Sequence, residues 1–407
     1  MGSRISSSVG DRCLDTPWSF LNNGRPNRVD NEFDAVVIGA GVAGSGIAYS
    51  LSKRGWNVAL VDRETYPRHK ACGEFLSPES VSSLKALGLD KVVTSLQPAA
   101  ITTVRLHTER GASLEIPLPG TAMGISRYSL DARLQLSVAQ QGGSMFSGSP
   151  VSAVKPFSNG YRVDIASDRG TTRFFSRTVI AAWGRRSLHG FHPHGSIAKD
   201  SSYVGIKSHY TRSDSDAAVD LYFFRGGYIG LSPVEGGRMN VAALLTRASF
   251  RRLGGSGAVQ TVLESAATRI PALRKRLEHA TSIPGTHAST FPVNVTPRLN
   301  AWNELPCIGD ALAVIPPFCG DGMSMALRSV ELCAPLADDY LRGYCTRTEW
   351  KNVYTRLIEQ QFTGALRWGS RFERILTHIH LSTWLFRLGS IAPGAAERMV
   401  RATRLRG

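Results

Sequence analysis

The feature that constrains this chain most is a glycine-rich stretch within residues 33–62. An unbroken apolar run at residues 35–38 predicts a parallel strand that is buried on both faces. Three glycines, Gly39, Gly41 and Gly44, follow at G-x-G-x-x-G spacing. In such a motif the first glycine allows a tight turn, the second lets a pyrophosphate approach bare backbone, and the third lets a helix pack closely on the strand. The pattern therefore predicts a strand, a turn and a helix that together bind a phosphate anion.

The helix is predicted to begin inside this loop. Ala43 opens a series of apolar residues at helical spacing, and Gly55 ends it. Free N–H groups and the positive end of the helix dipole suit a phosphate at this point. Residues 58–61 predict a second buried strand, which Asp62 closes about twenty residues after the second glycine, where an acid would bond a ribose hydroxyl. The whole unit predicts a dinucleotide site, although by itself it does not choose between NAD and FAD.

Composition limits the partners that the chain can have. It has 407 residues, 42% of them hydrophobic, and no apolar stretch approaches the roughly 18 residues needed to cross a bilayer. A net charge of +16 favours anionic partners, but no basic run is interleaved with aromatics in a nucleic-acid-binding pattern, so we do not expect a nucleic-acid partner. The six cysteines form no C-x-x-C pair, which argues against a zinc ribbon and indicates a reduced, cytoplasmic protein.

A charged loop follows the second strand. It contains Arg68, Lys70, Cys72, Gly73 and Glu74. From the residues alone, a solvated turn with a packed cysteine is the favoured interpretation. The stretch nevertheless resembles the P-R-x-K-x-C-G segment of the geranylgeranyl reductase family, which belongs to the superfamily of FAD enzymes that also contains the aromatic hydroxylases. The resemblance implies that the dinucleotide is FAD, that Cys72 lies near the isoalloxazine ring and that Arg68 lies near the cofactor. It also makes Cys72 and Glu74 the nearest candidates for a catalytic proton donor, with a purely structural role as the alternative for each.

Two later segments resemble cofactor-binding motifs of the same superfamily. Between the charged loop and these two segments, a helix is predicted that is capped by Ser77 and runs to about Gly88. The next helix opens with Arg127, in a segment similar to R-x-x-L-D-x-x-L, whose arginine lies near the FAD. Trp183 and Gly184 follow an apolar strand and resemble an A-D-G-x-x-S segment near the pyrophosphate, but Trp183 replaces the usual acid. The dual use of that segment for FAD and NADPH is therefore not carried over to this chain.

A last cofactor segment combines Gly309 and Asp310 with a G-D-G-M turn. The resemblance implies that Asp310 bonds the ribityl chain, and a carboxylate suits a polyol because it accepts hydroxyl hydrogen bonds. The turn precedes a predicted helix, whose positive end would face the part of the flavin that is negative when reduced. Besides the residues of the glycine unit, the predicted cofactor-binding residues are Arg63, Arg68, Cys72, Gly73, Arg127, Trp183, Gly184, Gly309, Asp310, Pro317, Gly320, Gly322 and Met323.

The middle of the chain predicts a second, antiparallel sheet. Residues 219–224, 228–232 and 239–245 alternate with glycine turns and are expected to be adjacent strands. The second of them lies where geranylgeranyl reductases carry a Y-x-W-x-F-P motif that shapes the prenyl pocket. The predicted substrate-pocket residues are Tyr228, Gly230 and Pro233. Gly230 stands where the family has a bulky aromatic, so the cavity is expected to differ in shape.

The sequence thus predicts an α/β fold: a Rossmann-like FAD-binding domain, an antiparallel β-sheet substrate domain and a helical C-terminal tail. The predicted boundaries are 1–32 for a polar, disordered lead-in, 33–190 with 285–340 for the FAD domain, 191–284 with parts of 95–125 for the substrate domain, and 341–407 for the tail. The tail combines tryptophans with arginines. A solvated helical pack is the favoured interpretation, and peripheral contact with an anionic membrane is the alternative.

The predicted function is an FAD-dependent oxidoreductase that acts on a hydrophobic, isoprenoid- or polyketide-like small molecule. NAD(P)H is the expected reductant, although no second Rossmann motif is evident for it. The charged loop, called the C-G-E loop below after Cys72-Gly73-Glu74, favours reduction of a carbon–carbon double bond. Hydroxylation of an apolar or aromatic substrate with O2, as in group A flavin monooxygenases, is the first alternative. An electron-transfer flavoprotein that serves a protein partner is the second.

Overall fold

The computed structural model describes residues 31–167, 170–185, 188, 203–211, 216–255, 259–293, 299–314 and 320–377. The strands are β1 (Glu32–Ile38), β2 (Val58–Val61), β3 (Phe75–Leu76), β4 (Ala99–Thr108), β5 (Ser113–Gly124), β6 (Ser144–Phe146), β7 (Val151–Phe157), β8 (Gly160–Ser167), β9 (Gly170–Ala181), β10 (Tyr203–Thr211), β11 (Ala218–Phe224), β12 (Gly227–Val234), β13 (Arg238–Thr246), β14 (Ala288–Val293), β15 (Trp302–Asn303) and β16 (Leu305–Pro306). The helices are α1 (Val42–Lys53), α2 (Ser80–Leu87), α3 (Asp90–Thr94), α4 (Arg127–Gln140), α5 (Arg247–Arg252), α6 (Val259–Arg269), α7 (Pro271–Leu277), α8 (Gly322–Arg342) and α9 (Arg347–Thr377).

The first sheet is built around the glycine unit. Its described strands follow the order β6-β2-β1-β9-β8-β7, and β1 pairs in parallel with both β2 and β9. All four residues of β2 are buried, as are Val36 and Val37 of β1, because a central parallel strand has helices or loops on both faces. The predicted strand, helix and strand are therefore confirmed, and the mixed α/β fold class with them.

Helices α1, α4 and α8 pack on this sheet. Ile47, Ala48 and Leu51 of α1 are fully buried in the same core as Leu327 and Val330 of α8. The N-terminus of α4 is capped by Ser126, whose hydroxyl accepts a hydrogen bond from the backbone of Ser129. The N-terminus of α1 follows the glycine loop directly, and α4 places Arg127 beside Gly41.

The second sheet has the order β14-β10-β13-β12-β11-β4-β5-β3 among the described strands. The three strands predicted to be neighbours, now β11, β12 and β13, pair antiparallel in that order, so this prediction is confirmed. Strand β14 pairs with β10, which extends the sheet to Val293, beyond the predicted boundary at residue 285. Helices α6 and α7 contribute Val262 and Leu273 to the core on one face of this sheet, together with Ile229 and Val241. The opposite face carries Lys207 and Asn240, which bond to the charged loop of the first sheet region.

Helix α2 begins later than predicted. It starts at Ser80, and Ser77 does not cap it. The Ser77 hydroxyl instead lies 2.8 Å from the hydroxyl of Ser324 in α8, which also lies 2.6 Å from the Ser80 hydroxyl. A buried hydroxyl group needs a partner, and here a tertiary contact replaces the local cap. The helix does end at Gly88, in a left-handed conformation.

Helix α9 forms the described part of the C-terminal tail. Trp350, Tyr354, Ile358 and Phe362 recur every four residues, are buried, and belong to the core of the first sheet. The Tyr354 hydroxyl donates to the carbonyl of Cys307 at 2.8 Å. Within the described residues no helix is both long and apolar enough to span a membrane. The remainder of the predicted tail, with Trp384 and its arginines, lies outside the described residues, as does the predicted lead-in up to residue 30.

Candidate active site

The glycine loop between β1 and α1 is closed by backbone contacts that exclude side chains. Gly39 has φ +106°, and a Cβ atom there would lie 2.3 Å from the carbonyl oxygen of Ala182. A Cβ atom on Gly44 would lie 1.7 Å from the carbonyl oxygen of Gly39. Gly41 differs, since its φ of −78° is open to any residue and a Cβ atom there would meet only two side-chain nitrogens, both beyond 3.4 Å. Gly39 and Gly44 thus shape the loop, whereas Gly41 leaves space above it.

Asp62 holds the loop from the end of β2. Its Oδ2 accepts a 2.7 Å hydrogen bond from the backbone N–H of Ala40 and a 3.0 Å bond from the hydroxyl of Tyr66. Its Oδ1 accepts from the backbone N–H of Glu64 at 2.9 Å. Oδ2 thus uses both of its lone pairs, but Oδ1 has one further lone pair, so Asp62 can also accept a bond from a ribose hydroxyl. Arg63 next to it pairs with Glu64 at 3.2 Å and is largely solvent-exposed.

Two cations lie above Gly41. Arg127 Nη2 and Lys70 Nζ would be 3.5 Å and 3.7 Å from a Cβ atom at that position. Both are held by the fully buried carboxylate of Asp131, at 2.8 Å from Arg127 and 2.7 Å from Lys70. Burial alone would raise the pKa of Asp131, but the charges of Arg127 and Lys70 outweigh it and lower that pKa below its ordinary value. The cluster therefore carries one positive charge in excess, facing a bare backbone.

The sequence named Arg127 as a cofactor residue but gave no role to Lys70 or Asp131. The spacing of Arg127 and Asp131, four residues apart on a helix, was the available signal for an ion pair. Only the tertiary structure brings Lys70 from the charged loop to the same carboxylate.

Gly309 and Asp310 reach the same place from the other end of the chain. Gly309 has φ +61°, donates its N–H to the Ser329 hydroxyl at 3.0 Å, and approaches Ala43 so closely that a Cβ atom would lie 2.9 Å from that of Ala43. Asp310 Oδ2 lies 3.2 Å from Nε of Arg185. Arg185 follows Trp183 and Gly184, and this segment continues from Ala182, which touches Gly39. The structure thus brings together three of the predicted cofactor segments.

The G-D-G-M turn supplies a helix N-terminus. Gly320 has φ +70° and packs beside the ring of Phe75, and Gly322, the first residue of α8, is exposed. Met323 is buried in the core behind it. The open N–H groups at this end of a long helix suit an anion. Pro317 lies outside the described residues.

Cys72 and Glu74 of the charged loop meet the second sheet. Cys72 is half-buried, its backbone carbonyl accepts a 2.9 Å hydrogen bond from Asn240 Nδ2, and its sulfur accepts one from the Glu74 N–H at 3.4 Å. Gly73 between them is exposed. Arg68, earlier in the loop, lies 3.9 Å from Glu64 and over the ring of Tyr66.

Glu74 is fully buried and fully bonded. Its backbone adopts φ +56°, and its Oε1 accepts from the Arg127 N–H at 3.0 Å and from Lys207 Nζ at 3.1 Å. Its Oε2 lies 2.6 Å from His209 Nε2. Burial would raise the pKa of Glu74, but the hydrogen bond with His209 and the charge of Lys207 lower it instead. The carboxyl group is thus an ionised partner for cations rather than a proton donor with its own access to substrate. Sequence reasoning missed Lys207 and His209, which alternate along a strand like ordinary interior residues.

The predicted pocket residues divide between the two faces of β12. The strand pairings place Lys207, Ala242, Gly230 and Leu221 in one row across the sheet, with Tyr228 in the next row. Pro233 is an odd number of residues away from Tyr228, so its ring lies on the other face, which the helices cover. The structure therefore brings Tyr228 and Gly230 together on the face toward Cys72, and separates Pro233 from them.

The site and fold agree with comparisons to known proteins. A model of the FAD dependent oxidoreductase family matches residues 34–82, which run from the glycine loop through the C-G-E loop to the start of α2. The menaquinone reductase of Mycolicibacterium smegmatis is 27% identical over 412 residues, covering 92% of this chain and 91% of that protein.

Solved structures agree on the fold. A myxobacterial chondrochloren halogenase, which is FAD-dependent, superposes with a TM-score of 0.71 at 20% identity, over 82% of this chain and 80% of its own. A flavin-dependent brominase gives 0.73 at 16% identity, over 91% and 93%. The fold is that of the Rossmann-type flavoenzymes, and the cradle around Gly41 fits a dinucleotide pyrophosphate. The chain is an FAD-dependent oxidoreductase.

Proposed function

We propose that this enzyme reduces a carbon–carbon double bond of a hydrophobic, isoprenoid- or polyketide-like small molecule, with NAD(P)H as the source of electrons. The observation that carries the proposal is the pair of small residues, Ala242 and Gly230, in the middle of the row that runs from Lys207 to Leu221 on the sheet face toward Cys72. Ala242 and Gly230 in that row are partly exposed, although they lie in the middle of a sheet. Support also comes from the mycolicibacterial relative, which aligns along nearly its whole length and is named for the reduction of menaquinone.

Gly230 and Ala242 would form the floor of a furrow whose wall on one side is made of larger residues. Leu244, Tyr228 and Phe223 make up the adjacent row on one side, and the Phe223 and Tyr228 rings lie 5.7 Å apart. A Cβ atom on Gly230 would lie 3.0 Å from a methyl group of Leu221. An apolar chain laid along such a furrow would be removed from water without displacing buried side chains, which is the main source of affinity for an apolar ligand.

The residues of the first sheet would hold the cofactor next to this furrow. Lys70 and Arg127 would bind its pyrophosphate, Asp62 its adenosine ribose and Asp310 its ribityl chain. The N-terminus of α8 would face the ring edge that carries negative charge after reduction. FAD supplies the chemistry of accepting a hydride from a nicotinamide and delivering it to carbon. Cys72 lies where the C-G-E loop meets the furrow, and it would border the reacting carbon.

The test is a single-turnover experiment with product analysis. The purified enzyme is reduced without oxygen by NADH or NADPH, and a polyprenyl quinone is then added in detergent micelles. Reoxidation without O2, together with a product whose prenyl chain has gained two hydrogen atoms across a carbon–carbon double bond, supports the proposal; a product reduced only at the quinone ring contradicts it. A flavin that stays reduced until O2 is admitted, followed by a product that carries label from 18O2, would establish the hydroxylase alternative instead. Reoxidation by a protein acceptor only would exclude both.

A further inference from the structure

A cluster of four buried or half-buried ionisable side chains joins the C-G-E loop to β10. It consists of Glu74, Lys207, His209 and His69. Lys207 Nζ lies 3.1 Å from Glu74 Oε1, 2.9 Å from His209 Nε2 and 3.1 Å from His69 Nδ1. Glu74, Lys207 and His209 are completely buried, and His69 alone is partly exposed.

The contacts in this cluster cannot all be satisfied by one arrangement of protons. His209 Nε2 lies within hydrogen-bond distance of both Glu74 Oε2 and Lys207 Nζ. A ring nitrogen is either a donor or an acceptor. If it donates to Glu74, it cannot accept from Lys207; if it accepts from Lys207, Glu74 must be protonated to bond to it. Among the residues that the structure describes, His209 Nδ1 also has no hydrogen-bond partner.

Electrostatics limits the net charge that such a cluster can hold. Burying unbalanced charge is costly, so one carboxylate favours one positive charge near it. Three bases compete for that charge: Lys207, His209 and His69. Burial and the charge of Lys207 lower the pKa of His69 to about 4, so His69 is neutral near pH 7 and its Nδ1 can accept the Lys207 proton. Burial also lowers the pKa of Lys207, opposed by the charge of Glu74, which makes its ammonium a stronger acid than an exposed lysine.

His69 is the member of the cluster from which a proton can leave, because it is partly exposed. With Nδ1 accepting from Lys207, the proton of the neutral ring is on Nε2. The ring stacks on Tyr128 at 4.7 Å and meets the ring of His209 edge-on at 5.2 Å, so its orientation is fixed. A proton can leave from Nε2 while Nδ1 takes one from Lys207, and the imidazole stays neutral throughout.

We propose that Glu74, Lys207, His209 and His69 form a proton relay that supplies the proton needed when the enzyme reduces its substrate. The inference rests on the proposed double-bond reduction. In that reaction the π bond breaks and two C–H bonds form. One would form from the hydride, with its electron pair, that FAD would supply after reduction by a nicotinamide; the other forms from the π electron pair and the proton released at His69. Lys207 is left as a neutral amine, and water restores its proton through His69.

Other charged groups tune this cluster without belonging to it. The Arg127 N–H donates to Glu74, while the Arg127 guanidinium is occupied by Asp131. The remaining groups whose charges act on Lys207 or His69 are Cys72 and Glu235, which favour the protonated form of Lys207, and Arg238, which disfavours that of His69.

The first test measures the coupling between Lys207 and His69, without turnover. Histidine side chains of the full-length FAD-bound enzyme are labelled with 15N, and His69 is followed by NMR between pH 3 and pH 8, with H69Q used to assign its signal. We expect a midpoint near 4 in the wild type. In K207M the midpoint should rise toward the ordinary value of 6.5, and in K207R it should stay low, since arginine keeps the charge. A His69 midpoint that is the same in K207M as in wild type overturns the relay.

The second test separates proton supply from electron supply. Reduction of the flavin by NAD(P)H and its reoxidation by a polyprenyl quinone are timed separately without oxygen. A positioned acid contributes about 10² to 10⁴ in rate, so K207M and H69Q should slow reoxidation at least about hundredfold and leave flavin reduction unchanged. K207R should be as slow as K207M, because arginine does not release its proton. Full reoxidation rates in K207R or H69Q overturn the proposal.

Lys85→Met is the matched control, since Lys85 is exposed on α2 and should change neither rate. If K207M does not fold, H69Q carries the kinetic test, because its side chain is only partly buried. If the wild type is reoxidised by no alkene or quinone at all, the proposed reaction fails, and the relay's delivery step fails with it. The NMR titration still decides on its own whether Lys207 and His69 are coupled, as the relay requires.

Discussion

Replacing Gly41 by alanine should separate cofactor binding from folding. Its φ of −78° suits alanine, and the new Cβ atom would meet no atom of the described residues closer than 3.5 Å. The cofactor-free protein should therefore keep its stability to within about 0.5 kcal/mol. The same methyl group would occupy the space between the bare backbone and the side-chain nitrogens of Arg127 and Lys70.

The expected loss of FAD affinity follows from the size of the space between Gly41 and the two cations. A pyrophosphate oxygen that bonds both cations at about 2.8 Å from the side of Gly41 would be in contact with the new methyl group. Forcing one methyl group into a packed contact costs about 1–3 kcal/mol. Since each 1.4 kcal/mol is a factor of ten in affinity, the Kd for FAD should rise by about ten- to a hundredfold.

The assay is titration of cofactor-free protein with FAD, followed by quenching of flavin fluorescence, beside urea unfolding of the same samples. Gly364→Ala is the control, because Gly364 is exposed on α9 with no atom near its Cβ position; it should bind FAD normally and be slightly more stable. Gly44→Ala is the opposite case, with a 1.7 Å clash that should destabilise the protein even without FAD. An unchanged FAD affinity in G41A would refute the placement of the pyrophosphate.

Three further changes test the surroundings of the site. Asp131→Asn leaves two buried cations unpaired and should lower the free energy of unfolding at pH 7 by about 3–5 kcal/mol in urea titrations. Because the folded pKa of Asp131 lies below its ordinary 3.8, the wild type keeps this contribution above that pH and loses it as pH falls further, so the two proteins should converge in acid; a constant difference would contradict the ion-pair account. Gly230→Phe should raise the KM for a long apolar substrate at least about tenfold with unchanged flavin reduction, and an unchanged KM would place the substrate elsewhere. Trp350→Ala removes a side chain that is 1% exposed and should cost about 3–5 kcal/mol of stability, measured in the same way; a loss below 1 kcal/mol would mean that α9 is not part of the core.

The sequence and the structure agree best where local physics decides. The strand at β1, the glycine loop and α1 are recognisable because an apolar run, a fixed glycine spacing and helical periodicity all indicate the same local geometry. The antiparallel strands β11, β12 and β13 are recognisable for the same reason, through apolar residues between glycine turns. The predicted start of α2 was wrong because the Ser77 hydroxyl bonds to Ser324 of α8, far away in the chain, and does not cap the helix.

In the candidate site, too, local sequence patterns predicted some features and tertiary contacts decided the others. The sequence by itself determined the dinucleotide cradle, since Gly39 and Gly44 have backbone tasks that no other residue can perform and Gly41 leaves the space that a phosphate needs. Only the tertiary structure decided which charges surround it. Lys70 meets Asp131, and Lys207 meets Glu74 across 133 residues, because buried charges must find partners wherever the fold brings them. Such pairings leave no local pattern in a chain, and they are what turn a cofactor cradle into a site able to hold and move a proton.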